Sequence, residues 1–404
     1  MSQILQDTGP HYIAMDINIR STATYVRGFY ILTVYTGTVG MSSKVYFGDM
    51  HVKFGDSILL KFERLLRASG FTEMDMNKRF VAIKVHFGEP GNMSALRPNY
   101  AKIVADLVKE KGGIPFLTDS NTLYVGRRKH GIEHMESAFE NGYSPMSTGC
   151  HIIIGDGLKG SDDIEVPVDG IHVKNAKIGR AVMDADIVIS LNHFKGHELT
   201  GFGGAIKNLG MGSASRAGKM EMHSAGKPSV NQDACTGCRK CLQNCAQDAI
   251  TVKKKASIDH TGCVGCGRCI AACQFDAISA KMDEANDILN EKIVEYAAAV
   301  VNGRPCFHIS LAIDISPFCD CHADNDTPIV PNVGMFASSD PVAIDKACTD
   351  MVNQQPIMND SILSGSKEKD RFKGTHPSTD WRSTIAHAVK MGLGSETYEL
   401  IRIK

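Results

Sequence analysis

Eight of the thirteen cysteines fall in two copies of one pattern, Cys235-x2-Cys238-x2-Cys241-x3-Cys245 and Cys263-x2-Cys266-x2-Cys269-x3-Cys273. Thiolates at this spacing wrap one 4Fe-4S cubane with three ligands, while the fourth ligand of each run reaches across to the other cubane. The crossing assigns Cys235, Cys238, Cys241 and Cys273 to one cluster, and Cys263, Cys266, Cys269 and Cys245 to the second. A pair of zinc sites or plain structural thiols would not need the spacing to be doubled. An odd cysteine total in a long chain without a secretory signal also argues for metal binding and against a disulfide framework. Gly237, Gly265 and Gly267 let the loops close tightly and aim N–H groups at sulfur.

This stretch, from about Gly226 to Met282, resembles the two-cluster bacterial ferredoxin module. One departure is that the proline usual after the fourth cysteine is Ala246 in one copy and Gln274 in the other, although the QDAI and FDAI strands keep their place. The resemblance implies two clusters side by side, a short path for single electrons. Lys253 to Lys255, between the two runs, reads as a solvated turn or a docking spot for an acidic redox partner.

Around this module the pattern is that of an α/β protein. FVAIKVHF from Phe80, IPFLTD from Ile114, HIIIGDG from His151 and ADIVISLNHF from Ala185 read as buried strands followed by polar or glycine-rich loops. Amphipathic stretches lie between, such as Asn99 to Lys111, ended by Gly112-Gly113. Alternation of this kind predicts parallel βαβ units with functional residues beyond the carboxyl ends of strands, where Asp119, Asp156 and Asn192 fall. After the cysteines the same character resumes: a long helix over Asp283 to Val301, strands over Cys306 to Asp314 and Val333 to Ser338, and a helix capped by Asp340 with Pro341 at its first position. The fold class is therefore α/β: a parallel-sheet βαβ body interrupted by a small α+β ferredoxin-like insert for two 4Fe-4S clusters. The expected boundaries are 1–40 as an N-terminal extension ahead of a fresh start at Met41, 41–225 and 283–404 as the two parts of the body, and 226–282 as the insert.

Two other segments carry chemistry. His193 to His223 holds His193, His197, Lys207 and His223 around the turn Gly201, Gly203 and Gly204, which would open a helix and offer its N–H groups to an anion. Histidine and lysine in a shared cleft transfer protons, bind phosphate or ligate metal. FCDCHAD places the soft groups Cys319, Cys321 and His322 together, with the two thiols on one face of an extended segment, as a metal site or a redox-active thiol. Arg97, with Glu89 near it, could clamp a carboxylate or phosphate or form a structural ion pair. Asp345 reads as a helix-surface or packing carboxylate, and Cys150, Cys306 and Cys348 as ordinary buried thiols.

KVHFGEPGNMSALRP (Lys84 to Pro98), LNHFKGHELTGFGGAIKNLGMG (Leu191 to Gly212) and ISPFCDCHADNDTPIVPNVGMFASSDPVAIDKA (Ile309 to Ala347), with the insert, resemble the iron-sulfur branch of the domain-of-unknown-function family 362, from about Ser43 to the C-terminus. The resemblance implies an architecture and little chemistry. More distantly, His197, Gly201 to Gly204, Lys207 and His223 are similar in order and spacing to nickel-pincer lactate racemase. That likeness implies a further metal or nucleotide cofactor, with Lys207 as a covalent or phosphate-contacting lysine and His223 as a metal ligand.

Three functions fit. The first is an oxidoreductase whose ferredoxin module supplies electron transfer to a small molecule held in the α/β cleft. The second is an electron carrier or iron-sulfur scaffold, and the third a non-redox, racemase-like enzyme with structural clusters. The partners expected are a redox protein or a small-molecule substrate. With 44 basic against 45 acidic side chains and no basic stripe, nucleic acid is not expected. The most apolar early stretch, Gly28 to Gly40, is too short to span a bilayer, so no membrane partner is expected. Clusters that need reduced thiols point to the cytoplasm.

Overall fold

A computed structural model describes residues 20–26, 29–35, 42–124, 126–223, 227–263, 265, 267–280 and 284–404. Cys266 and the outer edges of the predicted insert, Gly226 and Met282, lie outside the described residues. The chain divides after Met41 into two compact units. In the first, Arg20–Val26 pairs antiparallel with Phe29–Tyr35, a hairpin where the sequence pattern showed no strand period.

The second unit is built on eight strands: β1 (Ser43–Gly48), β2 (Phe80–Lys84), β3 (Ile114–Asp119), β4 (His151–Ile154), β5 (Ile187–His193), β6 (Cys306–Ala312), β7 (Gly334–Ser338) and β8 (Tyr398–Arg402). Across the sheet they run β8-β1-β7-β6-β5-β2-β3-β4. The block from β6 through β4 is parallel throughout, with β5 pairing β6 on one side and β2 on the other. β7 departs from the expected parallel order, running antiparallel to both β6 and β1. No helix separates β6 from β7 in the chain, so the βαβ crossover that a parallel partner needs is absent there. The loop that replaces it carries Cys319 and Cys321.

The strand period of two feeds two cores. Val81, Ile83, Ile187, Ile189 and Leu191 point to one side, where helices α1 (Ile58–Ala68) and α2 (Pro98–Glu110) bury Phe62, Leu65, Tyr100 and Val104. Ala82, Val188 and Phe336 point to the other, against α3 (Ala205–Ser213), α5 (Asn286–Val301) and α6 (Pro341–Asn353). Both faces are covered, which is why the strands read as near-continuous apolar runs. α4 (Arg216–His223) leads from this layer into the cysteine-rich segment.

That segment is a small α+β unit with an internal repeat. Pro228–Val230 pairs antiparallel with Ile278–Ala280, Ile250–Val252 pairs with Ala256–Ile258, and five-residue helices span Lys240–Asn244 and Arg268–Ala272. Arg239 and Gly267, the residues before these helices, share a left-handed backbone with φ of 65° and 67°. Among the described residues, no helix is long and apolar enough to cross a membrane.

Candidate active site

Residues at and beyond the carboxyl ends of β2, β3 and β5, joined by the loop after β6, line one cavity of about 610 Å3. This is where parallel α/β sheets place ligands. β2 ends in Lys84, whose Nζ lies 2.8 Å from the Asp119 carboxylate at the end of β3 and 3.0 Å from Asn208 Oδ1 on α3. Burial pushes the Asp119 carboxyl up, but Lys84 and His134 outweigh it and hold the group well below the usual carboxylate range. Beyond β2, Glu89 accepts from Arg128 Nε at 2.8 Å and from the Arg127 amide at 2.6 Å. Arg128 also donates to the Cys321 carbonyl at 2.9 Å and lies 3.0 Å from His86 Nε2.

The sequence-predicted residues divide in their placement. His193, His197, Lys207, His223, Cys321, Gly203 and Gly204 line the one cavity. Cys319 is buried beside it, with its Sγ 2.7 Å from Cys321 Sγ and 3.8 Å from Lys207 Nζ. Arg97 does not belong with them: its guanidinium is solvent-exposed and paired with Asp314 at 2.9 Å, the structural reading of that residue. His193, expected as a catalytic group, has Nδ1 at 3.0 Å from both Asp320 oxygens and Nε2 at 2.7 Å from the Ile313 carbonyl. With each ring nitrogen facing an oxygen, His193 braces the loop and offers no nitrogen to a ligand.

The glycine-rich turn requires a second correction. Gly201 lies on a short strand opposite His197, and Gly204 caps α3, so the helix starts where the sequence predicts. Its acceptor, however, comes from the chain itself: Asp345 accepts from the Ala205 amide at 2.6 Å and the Ile206 amide at 3.0 Å. Asp345 is fully buried rather than on a helix surface, and burial raises its carboxyl to about 7 against those two amides. The helix N-terminus is thus not open to a phosphate.

The third correction concerns the metal-ligating group. His197, Cys319 and Cys321 bring one ligand atom each to within 4.8 Å of the others, a set of soft donors that could hold a metal ion. The predicted third member, His322, is exposed and lies against Tyr124 with ring centroids 5.2 Å apart and the ring planes tilted by 42°. Burial and the nearby Lys207 push His197 down to about 4, and the same two causes push His223 down to about 3, so both rings are neutral near pH 7. Burial would raise the Cys319 thiol, but the Cys321 sulfur, Lys207 and Lys195 bring it down to about 6. Lys195 in turn lies 3.6 Å from Asp320.

Lys84, His86, Tyr124, Arg128, Lys195, Lys219 and Asp320 belong to this constellation although sequence patterns alone do not single them out. Lys84 and His86 lie inside KVHFGEPG, and Lys195 inside HFKGHE, both segments already marked by resemblance. Arg128, in a loop of mixed charge, carries no such signal.

In the cysteine-rich segment, Cys235, Cys238, Cys241 and Cys273 line one small cavity, and Cys245, Cys263 and Cys269 line another. The Ala256 amide points at Cys235 Sγ and the Ala277 amide at Cys273 Sγ, each at 3.3 Å, and the Gly265 amide points at Cys263 Sγ at 3.5 Å. Two sets of thiols, each grouped around a small cavity and with N–H groups aimed at some of the sulfurs, have the chemistry an iron-sulfur cluster requires, although Cys238 is exposed and Cys245 and Cys263 are half-buried. Leu123 and Met220 of the body share an apolar cluster with Cys235, Cys241, Cys269 and Cys273, and Leu123 also lines the large cavity.

A family model described as a domain of unknown function, DUF362, matches residues 81–350. A thylakoid-associated protein of Synechocystis sp. is 32% identical over 120 residues, 30% of this chain and 34% of that protein. Among solved structures, the lactate racemase apoprotein of Thermoanaerobacterium thermosaccharolyticum matches 73% of this chain and 56% of its own at 10% identity and a TM-score of 0.37. A protein from Thermotoga maritima matches 74% of this chain and 58% of its own at 13% identity and a TM-score of 0.40. The chain therefore spans about a third of the curated relative and less than two thirds of either solved structure.

Proposed function

The chain belongs to the domain of unknown function family 362, and on that premise we propose that it is an iron-sulfur oxidoreductase, in which two 4Fe-4S clusters supply single electrons to a small anionic molecule held in the cavity of the α/β body. Cys235, Cys238, Cys241 and Cys273 would hold one cluster, and Cys263, Cys266, Cys269 and Cys245 the other. The observation that carries this reading is Leu123, which packs in one apolar cluster with the cluster-ligand thiols and also lines the cavity, so that the insert rests on the cavity wall.

The lining selects the ligand. Five cations, Lys84, Arg128, Lys195, Lys207 and Lys219, face three carboxylates, Asp119, Glu198 and Asp324, among the described residues of the lining. Lys207 and Lys219 have no carboxylate partner within ion-pair distance among the described residues; Lys207 lies 3.8 Å from Cys319 Sγ and Lys219 donates to the Ala214 carbonyl at 2.7 Å, and both face the cavity, where a carboxylate or phosphate would be drawn to them. Burial lowers Lys219 to about 8, so it can give up a proton close to neutral pH. His197, neutral and buried, orients the thiols beside it.

A second reading has its own support: Lys207 and His223 share the cavity, so the lysine and histidine of a nickel-pincer arrangement occupy one space. Anaerobic purification with iron, sulfide and nickel analysis separates the two. About eight irons per chain, bleached by dithionite and restored by a small anionic acceptor, is the expected result. Stoichiometric nickel with a bound nucleotide would replace it with the racemase-like reading, and iron without turnover would leave an electron carrier.

A further inference from the structure

We propose that Cys319 and Cys321 are a redox-active pair that cycles between dithiol and intramolecular disulfide at the wall of the cavity. The two sulfurs are 2.7 Å apart, inside the contact distance of two unbonded sulfur atoms. One is enclosed and the other reaches the ligand: Cys319 is 1% exposed, and Cys321 lines the cavity. A pair that exchanges electrons with a bound molecule needs that asymmetry.

Residues 319–321 are each held in place. The Cys319 amide donates to Glu198 Oε1 at 3.1 Å, Asp320 is held by His193 and Lys195, and the Cys321 carbonyl accepts from Arg128 Nη2 at 2.9 Å. Lys207 Nζ, 3.8 Å from Cys319 Sγ, stabilises a thiolate there. This anchoring holds the side chains next to each other in the reduced state, which lowers the entropy that closing the bond must overcome.

The tautomer of His197 favours thiol chemistry over a metal. Its Nδ1 accepts from the Leu199 amide at 3.1 Å and the Thr200 amide at 3.3 Å. A neutral ring with Nδ1 so engaged carries its proton on Nε2, and a histidine ligand instead needs a lone pair on the coordinating nitrogen and a proton on the other. His197 therefore presents an N–H donor to the sulfurs.

The step balances as follows. Starting from one thiolate and one thiol, formation of the Sγ–Sγ bond releases two electrons to a two-electron acceptor in the cavity and one proton to solvent or to that acceptor. Reduction breaks the bond with two electrons and one proton. The electrons arrive singly from reduced iron-sulfur clusters, so for its reductant the inference rests on the function proposed above.

The test uses the purified holoprotein under anaerobic conditions, equilibrated in dithiothreitol buffers of graded poise, quenched with iodoacetamide and read by peptide mass spectrometry. The expected result is that Cys319 and Cys321 lose alkylation together and reversibly, as a disulfide, at a single midpoint, and that Cys319→Ser leaves Cys321 alkylated at every poise. Alkylation of both wild-type cysteines across the whole range would overturn the proposal. So would protection that is relieved by a chelator and accompanied by one zinc or nickel per chain, which would make the group a metal site. Iron and sulfide measured on the same sample test the clusters separately: reversible pairing in an iron-free chain supports the pair and removes the electron source proposed for it.

Discussion

Asp345 and Ala205, 140 residues apart in sequence, are joined by a 2.6 Å hydrogen bond from the Ala205 amide to the Asp345 carboxylate at the start of α3. The bond fills with protein the place where a glycine-rich turn would otherwise receive a ligand. It also ties α6 to the helix that carries Lys207.

Stability should carry the mark of this carboxylate. Its value in the folded chain, about 7, lies above its ordinary 3.8, so the folded state holds the proton more tightly. The stability this supplies is present in full below about pH 4 and is lost as pH rises through 7. Against Asp345→Asn, the wild type should lose a few kcal/mol between pH 5 and pH 8, because a carboxyl that stays protonated only in the folded chain costs about 1.4 kcal/mol for each pH unit crossed. Denaturant unfolding of both proteins at the two pH values measures it, and parallel pH profiles would show the carboxylate to be ionised throughout.

How much of this was legible depended on how far apart the participants lie in the chain. The proposed cluster ligands stand out in the sequence because a cubane takes three ligands from one short loop, so such chemistry is written at closely spaced positions, here from Cys235 to Cys245 and Cys263 to Cys273. The parallel strands were legible because both of their faces are buried. The antiparallel β7 was not, since direction is set by the helix-free connection after β6 and leaves no trace in its residues. The cavity was half visible: His197, Lys207, Cys319 and Cys321 sit in dense motifs, whereas Arg128 and Asp320 acquire their meaning only when loops after β3 and β6 meet. Asp345 shows the reverse, a residue read as a helix-surface or packing carboxylate that closes a site read as open.

Lys84 and Asp119 form a fully buried ion pair at 2.8 Å, in which breaking one side should be far worse than at a surface. Asp119→Ala leaves a buried ammonium with Asn208 as its remaining hydrogen-bond partner, and the expected cost is roughly 3 to 5 kcal/mol. Chemical denaturation reads it. A loss under about 1 kcal/mol would mean that the cavity is wetter than its lining indicates.

Lys207→Met removes a cation 3.8 Å from Cys319 Sγ. The thiol, held at about 6, should move upward by on the order of one pH unit, because an opposite charge at this range shifts a buried group by that much or more. The pH dependence of iodoacetamide labelling at Cys319 and Cys321, resolved by mass spectrometry, measures the change, and labelling at neutral pH should slow. An unchanged profile would assign the low value to Lys195 and the neighbouring sulfur.

The crossing of the fourth cysteines makes a pairwise prediction. Cys273 lines the cavity of Cys235, Cys238 and Cys241, while Cys245 lines that of Cys263 and Cys269. Cys273→Ser and Cys235→Ser should therefore perturb the same paramagnetic signal, and Cys245→Ser the other, each variant losing up to about four irons. Cys273→Ser and Cys263→Ser sharing a signal would mean that each run holds its own cluster.

The contact between insert and body predicts a defect in communication. Gly267 has φ of 67°, and a Cβ there would meet Arg216 Cγ at 2.6 Å and Cδ at 2.7 Å. Arg216 cannot easily swing aside, since it is fully buried and donates to the Thr122 carbonyl at 3.2 Å and the Lys159 carbonyl at 2.9 Å. Thr122 lines the large cavity, so a displacement of Arg216 is felt there. Gly267→Ala should cost about 1 to 3 kcal/mol from the backbone conformation alone and push the insert away from the body. With iron content measured first, rapid mixing of reduced protein with an acceptor should show slower reoxidation than in wild type. A variant that keeps its iron and reoxidises at the wild-type rate would place the electron path elsewhere than across the Arg216 contact.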